Sequence, residues 1–291
     1  MDLAFRIVNV FTVGDDPFSG NPLMVFDDGS ALTDAQMQSI ALQTNLSETT
    51  FVVRRHDAGS DADADVRIFT PAHEMPFAGH PTLGTASVVS SLTGDGGDVV
   101  LRMPAGRVPV ARDGDRWTLT TAVAPTTRPV DASREQLAAM VGLSPSDLGP
   151  DALWVDTGVE QLILPVRSAE AVRAAEPDAR LLRELGSSIA VDGVGNPSVL
   201  IGLWAPTGEE SIEARVFFTQ GTSVLEDPAT GSACANLGGW LHQRGVRGIT
   251  RTIRQGDAVG RPSELLLEID ADGGIHVGGT VRELGAGVLV L

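Results

Sequence analysis

A chain of 291 residues, 42% of them hydrophobic, is long enough for two ordinary domains or one large one with a substantial core. A formal net charge of −17 argues against nucleic acid and anionic membranes as partners, because neither attracts a strongly acidic protein. All 21 basic residues are arginine, so a lysine Schiff base to pyridoxal phosphate, a phosphate-loop lysine and a lysine general base are excluded.

No stretch approaches the roughly eighteen apolar residues of a membrane span, and the start lacks the basic and long apolar regions of a signal peptide. A cytoplasmic protein is therefore expected. The single cysteine, Cys234, cannot form an internal disulfide or a multi-thiolate zinc site, and it reads as buried packing.

Along the chain, residues 5–13 alternate as a strand, residues 14–22 form a turn-rich loop, and 23–26 form a second strand. Thr33 to Gln36 has the form of a capping box, which predicts a helix to about Thr44 with Met37, Ile40 and Ala41 on one face. A polar turn carrying Glu48 then feeds a β-branched strand to Val53. Residues 57–65 read as an exposed hairpin loop, and 66–69 return to the sheet.

Residues 98–110 and 116–121 are expected as strands joined at Asp113-Gly114. Residues 124–129 are the expected linker between an N-terminal half, 1–123, and a C-terminal half, 130–279, with 280–291 rejoining the first half. The second half opens with a helix capped at Ser133 and continues with a strand at 162–166. Helices follow at 168–175 and 178–185, the latter stopped by Gly186, and then strands at 198–204 and 213–218. Residues 249–291 alternate short strands with Gly- and Asp-containing turns. Many strands with two buried helices suit an α+β architecture better than a parallel doubly wound sheet.

Those two helices carry the pattern that organises the chain. Residues 226–241 and 77–92 each read as a polar turn running into an apolar helix opened by small residues, Gly84-Thr85-Ala86 in one and Gly231-Ser232-Ala233 in the other. Arg67-Ile-Phe and Arg215-Val-Phe lie at nearly equal distances upstream. This internal similarity predicts a duplicated domain, one helix per half, facing a shared cleft. A helix start directs unsatisfied N–H groups and the positive end of its dipole outward, which suits an anion.

Glu48 sits where a carboxylate can enter a cleft, although most glutamates in such places are simply solvated. His80, at the mouth of the first helix, is either a neutral imidazole that hydrogen-bonds a ligand or a capping histidine. Asp227, ahead of the second helix, is either functional or an ordinary N-terminal carboxylate. Thr230 and Ser232 can bind a ligand carboxylate or cap the helix. The five histidines show no metal-ligand spacing, so no metal is expected, and His73 and Glu74 read as loop residues.

Gly-Asn-Pro at 20–22, Asn-Leu-Ser-Glu-Thr at 45–49, Gly-His-Pro-Thr-Leu-Gly at 79–84 and Glu-Asp-Pro-Ala-Thr-Gly-Ser-Ala at 226–233 resemble, in order and over nearly the whole chain, the phenazine-biosynthesis PhzF-like family. The resemblance implies a diaminopimelate-epimerase-like fold of two similar halves, each a curled sheet or barrel around a central helix with the cleft between them, and often a homodimer. It implies no cofactor, catalytic roles for Glu48, His80 and Asp227, and a substrate-binding set of Gly79, Thr230, Gly231 and Ser232.

In the relevant isomerase a glutamate shuttles a proton between carbons of 2,3-dihydro-3-hydroxyanthranilate and moves a double bond, chemistry within reach of a partly shielded carboxylate. The expected substrate is a small carboxylated metabolite. Related racemases use two opposed cysteines at positions corresponding roughly to Ala78 and Asp227, so a two-thiol mechanism is not expected here. Two other readings stand beside the isomerase: an epimerase or racemase using Glu48 and Asp227 as acid and base, and a non-catalytic small-molecule binding protein.

Overall fold

The structure, a computed structural model, describes residues 1–56, 59–94, 96–185, 199–220 and 222–291. Part of the 57–65 loop and the expected helix stop at Gly186 lie outside these residues. The described chain divides into two compact units, 1–120 with 278–291 and 121–277. No helix among the described residues is long and apolar enough to cross a membrane.

In the first unit β1 (Asp2–Val10) and β2 (Asn21–Phe26) are followed by α1 (Asp34–Thr44), β3 (Thr49–Arg55), β4 (Ala64–Phe69) and the two-residue β5 (Glu74–Met75). Next come α2 (Gly79–Thr93), β6 (Val99–Met103), β7 (Gly106–Asp113) and β8 (Arg116–Thr120). The second unit contains β9 (Thr126–Pro129), α3 (Arg134–Met140), β10 (Leu153–Asp156), β11 (Gln161–Pro165), α4 (Ala169–Ala174) and α5 (Ala179–Leu185). It continues with β12 (Leu200–Pro206), β13 (Ser211–Gln220), β14 (Ser223–Asp227), α6 (Gly231–Gln243), β15 (Ile249–Gln255) and β16 (Ser263–Ile269). The long β17 (Ile275–Val290) begins in the second unit and ends in the first.

Strand pairing closes the first unit into a barrel. β1 pairs antiparallel with both β17 and β2, β2 parallel with β3, β3 antiparallel with β4, and β4 parallel with β6. Antiparallel pairs of β6 with β7 and β7 with β8, and the pairing of β8 with β17, complete the circuit. A closed sheet leaves no edge strand exposed.

The helix α2 is buried from His80 through Ala86 and again at Val88 to Ser90, so it is enclosed on all sides. It packs on β1, β2, β3, β6, β7 and β8. Close approach requires small residues: a Cβ on Gly84 would lie 2.6 Å from Leu23 Cδ2 and 3.0 Å from Val10 Cγ2. Gly84→Ala, which in an exposed helix would stabilise by about 1 kcal/mol, is expected here to destabilise by about 1–3 kcal/mol through overpacking. Thermal unfolding of the variant checks this.

The second unit repeats the order of pairings. β10 with β11 is antiparallel, β11 with β12 parallel, β12 with β13 antiparallel, β13 with β14 antiparallel, β13 with β15 parallel and β15 with β16 antiparallel. Each partner corresponds to one in the first unit, from β1 and β2 through β6 and β7. The helix α6, buried from Ala233 to Trp240, takes the place of α2.

Matching side-chain pairs mark the same duplication. Arg67 on β4 bonds both oxygens of Glu74 at 2.7 and 2.6 Å and lies over the Phe69 ring, while Arg215 on β13 bonds both oxygens of Glu226 at 3.0 and 2.7 Å and lies over Phe217. Glu74 is therefore a strand residue in a bidentate pair, not the loop residue expected from sequence.

The two glutamates fix the repeat register. Each stands five residues before a helix start, Gly79 or Gly231, so Glu-x-Pro-x-x-Gly occurs at 74–79 and at 226–231. The alignment on Gly84 read from sequence is out of register, because α2 opens at Gly79 and holds Pro81 in its first turn, where proline is tolerated.

Two further differences arise from local geometry. Residues 126–129, within the expected linker, form β9 and pair with β10. The single strand expected over 98–110 turns at Pro104-Ala105 and becomes the hairpin of β6 and β7. Both predicted capping boxes, at Thr33 and Ser133, are formed.

Candidate functional site

In the first unit Glu48 is held beside His80 by a sequence of local constraints. Asn45 ends α1 in the left-handed conformation, φ 52°, and its N–H bonds the Ala41 carbonyl. The hydroxyls of Thr44 and Thr49 are 2.8 Å apart across the turn that carries Glu48. One residue further on, Thr50 and Thr85 share a buried 2.8 Å hydroxyl contact that ties the start of β3 to α2. The turn is thus fixed at both ends, and its carboxylate has little freedom.

Glu48 Oε2 lies 3.4 Å from His80 Nδ1, with 16% and 5% of the two side chains exposed. This approach is longer than an ordinary N–H···O hydrogen bond of about 2.9 Å. Burial drives the imidazole's pKa down to about 3, against a weaker opposing effect of the Pro22 backbone carbonyl. His80 is therefore neutral near pH 7, and the contact is not an ion pair. A neutral imidazole places a polar ring beside the carboxylate without a counter-charge.

The His80 shift makes folding pH-dependent. A histidine whose folded pKa is depressed binds more protons in the unfolded chain between about pH 6.5 and pH 3. Its contribution is present above the unfolded value and is lost as pH falls, at up to about 1.4 kcal/mol per pH unit. Between pH 6.5 and 5 the wild type is expected to lose roughly 2 kcal/mol more than His80→Asn. Urea unfolding of both proteins across this range checks the difference.

The start of α2 is also open. Its N-cap, Ala78, makes no side-chain capping bond, and Pro81 has no N–H, so the amides of Gly79 and His80 are the first-turn donors directed outward. The dipole adds positive potential at the same place.

In the second unit Asp227 ends β14 and Thr230 is the N-cap of α6. The Thr230 side chain makes no capping bond; its hydroxyl donates to Asp227 Oδ2 at 2.5 Å and accepts from Gln255 Nε2 at 3.1 Å. Gln255 Nε2 also donates to the Asp227 carbonyl at 2.7 Å, which locks the turn. The Gly231 and Ser232 amides are consequently left without a side-chain cap. Ser232 Oγ accepts from Gln161 Nε2 at 2.8 Å.

The repeat register makes Ser232 the counterpart of His80 and Met75 the counterpart of Asp227. Aligning Gly84 with Gly231 would set Asp227 against His80, and the racemase cysteine positions set it against Ala78; the register instead pairs Ala78 with Thr230. Cys234 lies one turn into α6 and is buried, which pushes its thiol pKa up. It is not placed as a nucleophile.

The structure thus brings Glu48, His80 and Gly79 together in one unit, and Asp227, Thr230, Gly231 and Ser232 together in the other. Sequence reasoning missed Gln161, Gln255, Thr50 and Thr85. Gln161 had one available signal, since it opens β11 as Asn21 of Gly-Asn-Pro opens β2. Gln255 had none, because its partners are set by strand register.

Residues 8–290 match the family described as "Phenazine biosynthesis-like protein". The chain is 36% identical to an uncharacterized isomerase of Pasteurella multocida, over 98% of its own length and 93% of the relative's. It is 33% identical to the trans-2,3-dihydro-3-hydroxyanthranilate isomerase of Pseudomonas aeruginosa, over 92% and 91%. The phenazine biosynthesis protein of the PhzF family from Bacillus anthracis superposes with a TM-score of 0.80, covering 100% of both chains at 22% identity, a likeness of fold.

Proposed function

Because this chain belongs to the phenazine biosynthesis-like family, we propose that it is an isomerase that moves a proton, and with it a double bond, within a small carboxylated metabolite related to trans-2,3-dihydro-3-hydroxyanthranilate. The observation that carries the reading is the constrained contact of Glu48 with a neutral, buried His80 at the uncapped start of α2.

Glu48 takes a proton from one substrate carbon, holds it as the carboxylic acid and returns it to another carbon, ending as the carboxylate it began as. A carboxylate in this role contributes about 10²–10⁴-fold. The neutral ring of His80, 3.4 Å from the carboxylate, leaves it more basic than an imidazolium would. The Gly79 and His80 amides are placed to stabilise charge that develops as the proton leaves.

Gly231 and Ser232, through amides and hydroxyl, are suited to a substrate carboxylate. Asp227 and Thr230 hold that turn in shape. No cofactor is needed for these steps.

The test is proton NMR in D₂O of trans-2,3-dihydro-3-hydroxyanthranilate and a panel of cyclic and acyclic carboxylates with the wild-type protein. Deuterium incorporation with double-bond migration is the expected result. Inversion at carbon without migration would replace the isomerase by an epimerase using Glu48 and Asp227. Binding without exchange throughout the panel would replace it by a binding protein.

A further inference from the structure

Gln161 is 0% exposed, yet only one end of its amide is accounted for. Nε2 donates to Ser232 Oγ at 2.8 Å, while the buried Oε1 has no hydrogen-bond partner. A buried acceptor without a partner is costly, and replacing the whole amide by an apolar group would relieve that cost. A side chain kept here purely for stability would be apolar, as Leu162, Ile163 and Leu164 beside it are. The retained amide must therefore act through its one bond, which ends at the hydroxyl on the first turn of α6.

The direction of that bond has a chemical consequence. A serine hydroxyl has one hydrogen to give and two lone pairs to receive with. With a lone pair taken by the Gln161 N–H, the Ser232 hydrogen is directed away from Gln161. There it joins the Gly231 and Ser232 amides, which Thr230 leaves uncapped because its own hydroxyl is engaged by Asp227 and Gln255. Without Gln161 the hydroxyl is free to turn and bond a carbonyl of the preceding chain, the usual habit of a serine inside a helix.

We propose that Gln161 is a positioning residue that fixes Ser232 as a hydrogen-bond donor to a carboxylate held at the start of α6. The inference rests on the reading of that helix start as the carboxylate subsite. Gln161 takes no part in proton transfer, so its effect falls on binding. In the first unit Asn21 opens the equivalent strand and His80 stands where Ser232 does, so a buried amide at the strand start is common to both halves.

The experiment is a double-mutant cycle of Gln161→Met, which keeps the side-chain shape without the amide, with Ser232→Ala. Steady-state turnover of trans-2,3-dihydro-3-hydroxyanthranilate and calorimetric binding of benzoate, a plain carboxylate probe, are measured for all four proteins, together with melting temperatures. Gln161→Met is expected to raise KM and the benzoate dissociation constant about five- to ten-fold, the loss of one oriented hydrogen bond to a charged group. Its kcat stays within about two-fold, since only uniform binding is lost. In the Ser232→Ala background the same substitution should change nothing further, because its only route is through the missing hydroxyl.

Additive losses in the double variant, or a fall in kcat at unchanged KM, would overturn the proposal. So would unchanged binding in a folded Gln161→Met protein. Absent turnover with the cycle intact for benzoate would remove the isomerase reading and leave the role of Gln161 standing. Turnover with no benzoate binding by the wild type, and additive KM values, would do the reverse.

Discussion

Glu48→Gln is expected to lower kcat/KM for the proton-transfer reaction by about 10²–10⁴-fold while leaving the protein folded and substrate affinity within about three-fold. The amide has the size of the carboxylate and can sit in the same turn between Thr44, Thr49 and the Thr50–Thr85 contact. It can neither accept a proton from carbon nor hold one for return. Because Glu48 approaches a neutral ring, removing its charge strands no buried cation, so the melting temperature should not fall.

The two readouts separate mechanism from support. Solvent deuterium should cease to enter the substrate with Glu48→Gln, since the group that exchanges with solvent between the two half-steps is gone. His80→Asn should retain exchange at a reduced rate, because the buried ring packed beside the carboxylate is lost but the carboxylate remains. Glu48→Gln with wild-type exchange would place the proton-transfer group elsewhere and remove the main reading of the site.

The parts of this site legible in sequence are those specified locally. A capping box, a polar turn and a run of β-branched residues announce α1, the turn and β3, so Glu48 could be placed at a strand entrance. The duplication was legible from Arg67-Ile-Phe and Arg215-Val-Phe. Its register was not, because Pro81 reads as a break in a helix when it in fact occupies the first turn of one.

Gln161 and Gln255 were invisible for a different reason. A glutamine at a strand end has no preferred local partner, and the hydroxyl or carbonyl it meets is chosen by which strands lie side by side. The long β17 shows the same limit. Its glycines at 278, 279, 285 and 287 read as turns, yet Gly278 packs against Thr118 and Trp117 and Gly287 against Phe5, where only a missing side chain lets the strand continue.

The largest expected loss of stability comes from Arg215→Met. Arg215 and Glu226 are 15% and 8% exposed, and the guanidinium also donates to the carbonyls of Val172, Arg173 and Ala175 where α4 ends. Methionine would fill much of the space over Phe217 but leave a buried carboxylate and the Arg173 and Ala175 carbonyls without this donor, while the Val172 carbonyl keeps the Ala175 N–H. Removing one member of a buried pair costs about 3–5 kcal/mol, far more than the net value of the pair.

The repeat supplies an internal control. Arg67 makes the same bidentate bond to Glu74, but these two are 24% and 31% exposed, and the other partner, Asp34, is almost fully solvated. Water can replace what Arg67→Met removes, so a loss of about 1–2 kcal/mol is expected there. Denaturant unfolding of the two single variants and of Arg215→Met with Glu226→Leu decides the point. If the cost lies in the stranded carboxylate, the double variant should recover at least half of the loss, and equal losses at Arg67 and Arg215 would show that burial of the pair is not what sets it.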